Sequence, residues 1–332
     1  MSLYRKNFSA VGLIYAGMLV LVTAIQYGIS ILFSNFAPNI ISNYFWLYFA
    51  IAMAPTYVVG YPMVKYFMDK REKKEIEKRK LKFSDFFVFL CISECFLIVG
   101  SLIGNYVNEL ISAATGIEIS NPVGDILSNS VLWVNIIVAG IIGPIFEELL
   151  FRKLLIDNLA KYGEGLAITV SGFAFGLFHG NFTQFFYATM IGLLFGYIYV
   201  RTGRIRYTII LHMMINLGST LITPVYNMLD MDFIDSSESY AEIGRKILSM
   251  PPEELWSFAW PILILAVYVI GTYGMGIAGL ILYLVKRKRM FINPVENEIY
   301  QGYRFRAVMG SLGIWVYILA CAAMFAMAIF LK

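Results

Sequence analysis

Long apolar runs separated by short polar segments divide the chain. A helix that crosses a bilayer needs about 20 apolar residues. Nine runs approach that length, roughly at 9–33, 43–67, 84–112, 130–151, 164–181, 183–200, 206–223, 258–285 and 307–331. Only a short polar turn around 180–181 separates the fifth run from the sixth, so eight spans is the alternative count. The pattern predicts an all-α fold, a polytopic transmembrane helical bundle in which residues 1–332 form a single membrane domain.

The composition favours the same interpretation. Hydrophobic residues make up 59% of the 332 residues and charged residues 14%, whereas a soluble domain carries about 25% charged residues. The run at 11–33 is too long for the apolar region of a signal peptide and lacks a small-residue cleavage site, so we expect it to be the first span. We interpret Cys91, Cys95 and Cys321 as packing residues, because all three lie in apolar runs.

The distribution of charge predicts an orientation. Segment 69–83 holds eight basic residues, and further basic residues lie in 152–163, 201–206 and 286–306. The loop 224–256 is acidic instead. By the positive-inside rule, the N-terminus and the basic segments are cytoplasmic, and the acidic loop and the C-terminus lie outside.

The sequences of two of these loops predict their structure and partners. Segment 69–83 interleaves Lys, Arg and Glu, and we interpret it as a helical cytoplasmic hairpin that sets the orientation, with contact to anionic lipid as the alternative. This run is the sole basic feature that could attract nucleic acid, and we expect no nucleic-acid partner. The extracytoplasmic loop 224–256 is long enough for a short amphipathic helix at 241–249.

Glycines recur at the spacing of helix contacts. Gly172, Gly176 and Gly180 form one stripe, and Gly192 with Gly196 forms another. Such stripes allow two backbones to approach closely. We therefore expect the fifth span to be central and tightly packed.

The candidate chemistry begins at an acidic pair, Glu147 and Glu148. Charged groups are costly at membrane depth, so such a pair indicates a functional site. Glu148 lies four residues before Arg152, the favourable order for a helical ion pair, which leaves Glu147 for catalysis. Pro144 lacks an amide hydrogen and should loosen the backbone just before the pair.

The two histidines of the chain follow on later spans. His179 ends the frame Phe-Gly-Leu-Phe-His, and His212 lies four residues before Asn216, on the same helix face. Glu147 and His179 are each about 16 residues from the turn at 162–165, so a helical hairpin would bring them to the same depth. We expect Glu147, His179, His212 and Asn216 to meet in one cavity.

These residue types predict hydrolysis. A carboxylate in a poorly hydrated cavity suits a general base. Glu147 would accept a proton from water, His179 would orient that water, and His212 with Asn216 would donate hydrogen bonds to the developing oxyanion. Zinc bound by His179, His212 and Glu147 is the alternative, and we rank activation of water without metal slightly ahead.

Structural interpretations compete with this one. Arg152 and Lys153 could neutralise the two glutamates at an interface. A membrane histidine usually serves as a hydrogen-bonding group between helices, and so does an asparagine such as Asn216. These interpretations are disfavoured because both histidines of the chain occur in a Phe-x-x-x-His or His-x-x-x-Asn pattern that follows an acidic pair.

Together the motifs resemble those of the CPBP family, the CAAX-prenyl-protease and bacteriocin-processing family of intramembrane proteases, also called Abi. The family pattern is Glu-Glu-x-x-x-Arg, Phe-x-x-x-His and His-x-x-x-Asn or Asp. It is met here by Glu147, Glu148 and Arg152, by Phe175 and His179, and by His212 and Asn216. The resemblance covers about 130–220 and implies a catalytic four-helix core with a water-filled cavity, in which the first acid and His179 activate water. It leaves metal dependence open, since the family has been described both ways.

The sequence therefore predicts an intramembrane endopeptidase in a bacterial cell membrane. Its partners would be the lipid bilayer and a membrane-associated peptide or protein, lipidated or not. Two other functions remain open: a catalytically dispensable scaffold or regulator of an envelope enzyme, including bacteriocin self-immunity, and a transporter. The transporter is disfavoured because the chain shows no internal repeat.

Overall fold

The computed structural model describes residues 2–119, 122–229, 245, 249–292, 294–295 and 298–330. These residues form helices and connecting segments and contain no β-strand. We number the long helices in chain order as α1 (Ser2–Phe36), α2 (Phe45–Asp69), α3 (Phe83–Thr115), α4 (Leu132–Tyr162), α5 (Glu164–Phe178), α6 (Phe182–Thr202), α7 (Ile205–Tyr226), α8 (Pro252–Arg289) and α9 (Leu312–Phe330). Short helices span Pro38–Asn43, Pro122–Asn129 and Gln301–Met309. The all-α polytopic bundle is confirmed.

Eight of the nine described long helices have the length and hydropathy of a membrane span. The exception is α5, which has 15 residues and measures about 22 Å at 1.5 Å per residue. A hydrocarbon core is about 30 Å thick. The expectation of a full fifth span is therefore wrong, because the helix ends at His179 and the chain turns back at Gly180, whose φ is 66°.

The segments with high positive charge lie together at one end of the bundle, which we call the basic face. Lys74 pairs with Glu164 at the start of α5, and Lys286 at the end of α8 pairs with Asp85. The backbone of Arg79 donates to the carbonyl of Thr202 at the end of α6. Helix α5 begins at this face and α6 ends at it. The α5–α6 hairpin therefore starts and finishes on the same side of the bundle.

Residues 72–82, which we call the strap, cross the basic face without helical structure. The helix expected within 69–83 is therefore wrong, although its alternating charges suit one. The backbone N–H groups of Lys74 and Arg79 donate instead to the carbonyls of Asp157 and Thr202, at 2.8 Å each, and Ile76 is buried in the core. These tertiary contacts outweigh the local helix propensity. The helix expected at 241–249 lies mostly outside the described residues.

Glycines set the closest helix contacts, as the stripes predict. Gly192 faces Gly172 where α6 crosses α5, and a Cβ on Gly176 would lie 1.9 Å from Oγ1 of Thr189. The first and last helices also meet at glycines, Gly12 and Gly313, and Tyr317 packs edge-on against Tyr15. Because early residues of α1 contact early residues of α9, these two helices run parallel.

The surface of the bundle is apolar along the helices. On α8 the outward side chains include Leu263, Val267, Ile270 and Ile277, each more than 60% exposed. A surface of exposed apolar side chains is stable in contact with lipid and unfavourable in water. The chain is an integral membrane protein. Within the described residues, the three cysteines are buried and unpaired, in agreement with a packing role.

We predict that Gly176→Ala destabilises the bundle by about 1–3 kcal/mol, the usual cost of overpacking a close contact. The matched control is Gly271→Ala on α8, where an added Cβ meets nothing within 4 Å. There alanine should be neutral or stabilising by up to about 1 kcal/mol, because it is the better helix former. Thermal unfolding of both variants in detergent measures the difference. Equal midpoints would contradict the proposed close contact.

Candidate active site

Helix α4 has an irregular backbone around the acidic pair. Residues Ile136–Ile142 and Leu149–Ile156 are π-helical, and Gly143–Glu148 between them is α-helical. In the first π-helical stretch the N–H of Gly143 donates to the carbonyl of Val138. The next donor in that register would be residue 144, which is proline and has no N–H. The carbonyl of Ala139 therefore has no donor in that register, in agreement with the loosened backbone expected at Pro144.

Asn216 of α7 satisfies that carbonyl. Its Nδ2 donates to the oxygen of Ala139 at 3.0 Å. One of its two amide hydrogens is thus used to hold α7 against α4, and the other is available to a ligand. The same contact fixes the side chain at the wall of the cavity described below.

Glu148 lies at the centre of a buried charge network. Its Oε2 is 3.2 Å from Nε of Arg152, and both side chains are 0% exposed. The ion pair predicted from their spacing is confirmed. The second oxygen, Oε1, lies 3.0 Å from Nδ1 of His212 on α7. This contact was not foreseen, because nothing in the sequence indicates which acid a histidine 64 residues away will meet.

The Glu148 contact determines how His212 presents its ring. A carboxylate only accepts hydrogen bonds, so Nδ1 of His212 carries a proton and Nε2 points away from Glu148. Nε2 lies 3.6 Å from Oε2 of Glu147, beyond hydrogen-bonding distance. Glu147 is 22% exposed at its side chain, in contrast to buried Glu148. The two adjacent acids thus have different environments, one within the protein and one facing the cavity.

The end of α5 orients His179. The last carbonyls of a helix lack intrahelical donors, and Nδ1 of His179 lies 2.8 Å from the oxygen of Phe175. A carbonyl accepts only, so Nδ1 is the donor and Nε2 retains a lone pair. The second ring nitrogen can therefore accept a hydrogen bond from water.

Phe175 contacts three side chains of the site, namely His179, His212 and Arg152. Its ring packs edge-on against His179 at 4.8 Å and against His212 at 5.8 Å between centroids. The guanidinium of Arg152 lies over the same ring at 4.3 Å. Phe195 of α6 also contacts His212 and Arg152, and its role was missed because an aromatic residue in an apolar span has no distinguishing pattern.

A cavity of about 230 Å³ brings the predicted residues together. Its lining includes Glu147, His179, His212 and Asn216, whereas Glu148 and Arg152 lie behind it. Polar groups that the motifs do not include also line it, namely Tyr57 of α2 and Gln184 and Tyr187 of α6. The short helix Pro122–Asn129 contributes Val123, Ile126 and Leu127 at the side remote from the basic face.

The alternative in which Lys153 neutralises the glutamates fails. Its ammonium lies 2.6 Å from Oδ2 of Asp157 and 3.2 Å from the hydroxyl of Tyr199. Lys153 therefore points towards the basic face rather than towards Glu147.

The donor set does not fit a zinc ion. Across the part of the chain that the structure describes, no three side chains of His, Cys, Asp or Glu are placed to hold a metal. Glu147 and His212 lie close together, with 3.6 Å between Oε2 and Nε2, but His179 does not complete a group of three donors with them. We therefore derive no step that passes through a metal.

We predict that Arg152→Ala lowers the free energy of unfolding by roughly 3–5 kcal/mol, because it leaves the buried carboxylate of Glu148 without its counter-ion. The control is Lys65→Ala, which removes a half-exposed cation from its pair with the partly exposed Asp69 and should leave the stability nearly unchanged, because exposed ion pairs contribute little. Denaturation in detergent measures both. If the two variants lose equal stability, Arg152 does not hold Glu148 in the manner described.

Comparison with known proteins agrees with this geometry. Residues 129–218, which contain all six candidate residues, match the family model described as type II CAAX prenyl endopeptidase Rce1-like. The chain is 36% identical over 98 residues to YdiL of Bacillus subtilis (strain 168), which is named as a candidate membrane peptidase. It is 35% identical over 99 residues to the membrane-embedded CAAX protease MroQ of Staphylococcus aureus (strain USA300).

These similarities are confined to part of each protein. They cover 29% and 28% of this chain, and the chain spans 40% of the length of each relative. No solved structure matches the chain. The resemblance carried by the motifs is nevertheless confirmed over residues 129–218, the part of the chain that matches the family model.

Proposed function

We propose that the chain is an intramembrane endopeptidase that hydrolyses a peptide bond in a membrane-associated peptide or protein. The observation that carries the proposal is the cavity in which the exposed acid Glu147 faces Nε2 of His212 at 3.6 Å, beside His179 and Asn216. The relative MroQ is named a membrane-embedded CAAX protease, which supports a lipidated protein as one substrate class.

The chemistry follows from the available protons. Glu147 takes one proton from a water molecule whose other hydrogen is held by Nε2 of His179. The hydroxide forms a bond to the carbonyl carbon of the peptide, and the carbonyl π electrons move to its oxygen. Glu147 then gives its proton to the peptide nitrogen as the C–N bond breaks, which yields a carboxylic acid and an amine. Water is the only co-reactant.

His212 and Asn216 would stabilise the oxyanion. Nε2 of His212 makes no hydrogen bond to Glu147, and one amide hydrogen of Asn216 is not used by Ala139. Both donors can therefore point at a substrate oxygen. To donate from Nε2 while Nδ1 donates to Glu148, the ring must be an imidazolium. Buried Glu148 stabilises that charge and holds the ring in place. Fixed donors of this kind are effective because they need no reorganisation during the reaction.

The orientation remains a proposal as well. All the segments expected in the cytoplasm meet at the basic face, and the parallel packing of α1 and α9 supports termini on opposite sides. We infer that the basic face is cytoplasmic and that the C-terminus lies outside. Both named relatives are from bacteria, which supports a bacterial cell membrane.

We predict that Glu147→Gln lowers the cleavage rate by about 10²–10⁴-fold, the usual contribution of a general base. The amide is isosteric, so the variant should retain the thermal midpoint of the unmodified protein. The control is Glu94→Gln on α3, another buried membrane carboxylate, which does not line the cavity. Mass spectrometry of membrane peptides from cells that produce each form identifies substrates and measures cleavage. Full cleavage by Glu147→Gln would remove the assignment and favour a scaffold.

We further predict that cleavage of such a substrate by the purified protein survives 1,10-phenanthroline and EDTA without loss. The geometry supports this expectation, because Glu147, His179 and His212 are not placed as a three-donor metal site within the described residues. A zinc metalloprotease in the same detergent serves as the positive control for chelation. Loss of activity that added Zn²⁺ restores would instead assign Glu147, His179 and His212 as metal ligands.

A further inference from the structure

A second cavity, of about 430 Å³, lies at the basic face between α3, α6 and α8. Its lining includes residues from the end of the strap, from the start of α3 and from the ends of α6 and α8. We call it the interfacial cavity. It is separate from the candidate active site, with which it shares no lining residue.

The rim of the interfacial cavity has a marked excess of positive charge. Five basic residues and one acid line it. Arg79 pairs with Glu77, and Lys286 pairs with Asp85 at 3.0 Å. Lys80, Arg201 and Arg289 have no ion pair within the described part of the chain, and the guanidinium of Arg201 lies over the ring of Phe291 at 4.9 Å. Three cations that form no ion pair within the described residues thus line one cavity, which is the arrangement expected around a phosphate group.

The floor of the same cavity is apolar. Val88, Phe89 and Ile92 of α3 line it together with Ile198 of α6. Ile92 is seven residues from Asp85, so the floor lies about 10 Å from the charged rim at 1.5 Å per residue. The cavity therefore combines cations at its rim with apolar side chains at its floor.

We propose that the interfacial cavity binds an anionic phospholipid. Its phosphate lies among Lys80, Arg201 and Arg289, and the first part of an acyl chain lies against Val88, Phe89 and Ile92. A free phosphate would use only the rim, and a zwitterionic lipid would bring a second cation to a site that is already positive. A bound lipid would also join the strap to α6 and α8, because each of the three cations comes from a different one of these elements.

The test compares lipid binding by the full-length protein in non-ionic detergent. Native mass spectrometry measures the retention of dioleoyl-phosphatidylglycerol and of dioleoyl-phosphatidylcholine, which differ in net charge but not in acyl chains. The variant Arg201→Gln/Arg289→Gln removes two cations from the rim. The matched control, Arg287→Gln/Lys288→Gln, removes two cations from neighbouring positions outside the cavity lining. Glycerol 3-phosphate is added as a competitor that has the headgroup chemistry but no acyl chain.

We expect preferential retention of phosphatidylglycerol. The rim variant should lower its affinity by about 30-fold, since each cation near a headgroup contributes on the order of fivefold. The control should retain most of the affinity, and glycerol 3-phosphate should not compete. Equal retention of the two lipids would overturn the proposal, as would equal losses in the two variants, which would indicate only general surface attraction. Effective competition by glycerol 3-phosphate would assign the rim to a free phosphate compound instead.

Discussion

The buried carboxylate of Glu148 is the constraint on which the site depends. A charge removed from water and from lipid headgroups is costly unless opposite charges meet it directly. Glu148 meets two partners that can donate to it, the guanidinium of Arg152 one turn along α4 and the imidazole of His212 on α7. The first contact is local and needs only a helix. The second requires α4 and α7 to pack in one register, so a tertiary contact completes the surroundings of the carboxylate.

The same contact gives adjacent acids separate tasks. Since Glu148 binds one nitrogen of His212, the other nitrogen must face Glu147 across the cavity. Phe175 makes the arrangement rigid, because one ring packs against both histidines and beneath Arg152. An apolar residue at this point also excludes water from the ion pair, which strengthens the electrostatic interaction. The reactive groups are thus held by a second set of residues, of which Glu148 and Arg152 lie behind the cavity and Phe175 forms part of its wall.

Much of this organisation is encoded locally and could be predicted. Spans follow from hydropathy, the Glu148–Arg152 pair from i,i+4 spacing, and the shared depth of Glu147 and His179 from their distances to one turn. Features set by tertiary packing could not be predicted. The strap has helical charge spacing, yet its backbone donors bind carbonyls near the ends of α4 and α6. Likewise, nothing local identifies Tyr57 as a residue that lines the cavity, since it is one aromatic residue among many in an apolar run.

The π-helical stretches of α4 explain why so many outside groups hold this helix. A π-helical turn contains an extra residue, so the direction of every later side chain depends on where that turn lies. Glu147 and Glu148 sit between two such stretches, and a slip of one residue would turn Glu148 by about 100° away from His212. Hydroxyls of Tyr15 and Ser171 donate to the carbonyls of Leu150 and Phe151 in the second stretch.

In the first π-helical stretch, Asn216 donates to the carbonyl of Ala139. The strap donates to the carbonyl of Asp157 near the far end of α4. Each contact comes from a different part of the chain, so the register of α4 is correct only when the whole bundle is assembled. A ligand that stabilises the strap at the basic face would therefore favour the register that the active site requires, although it binds away from the site. The catalytic segment is short, but α1 and the strap, which lie outside it, provide two of the contacts that fix its geometry.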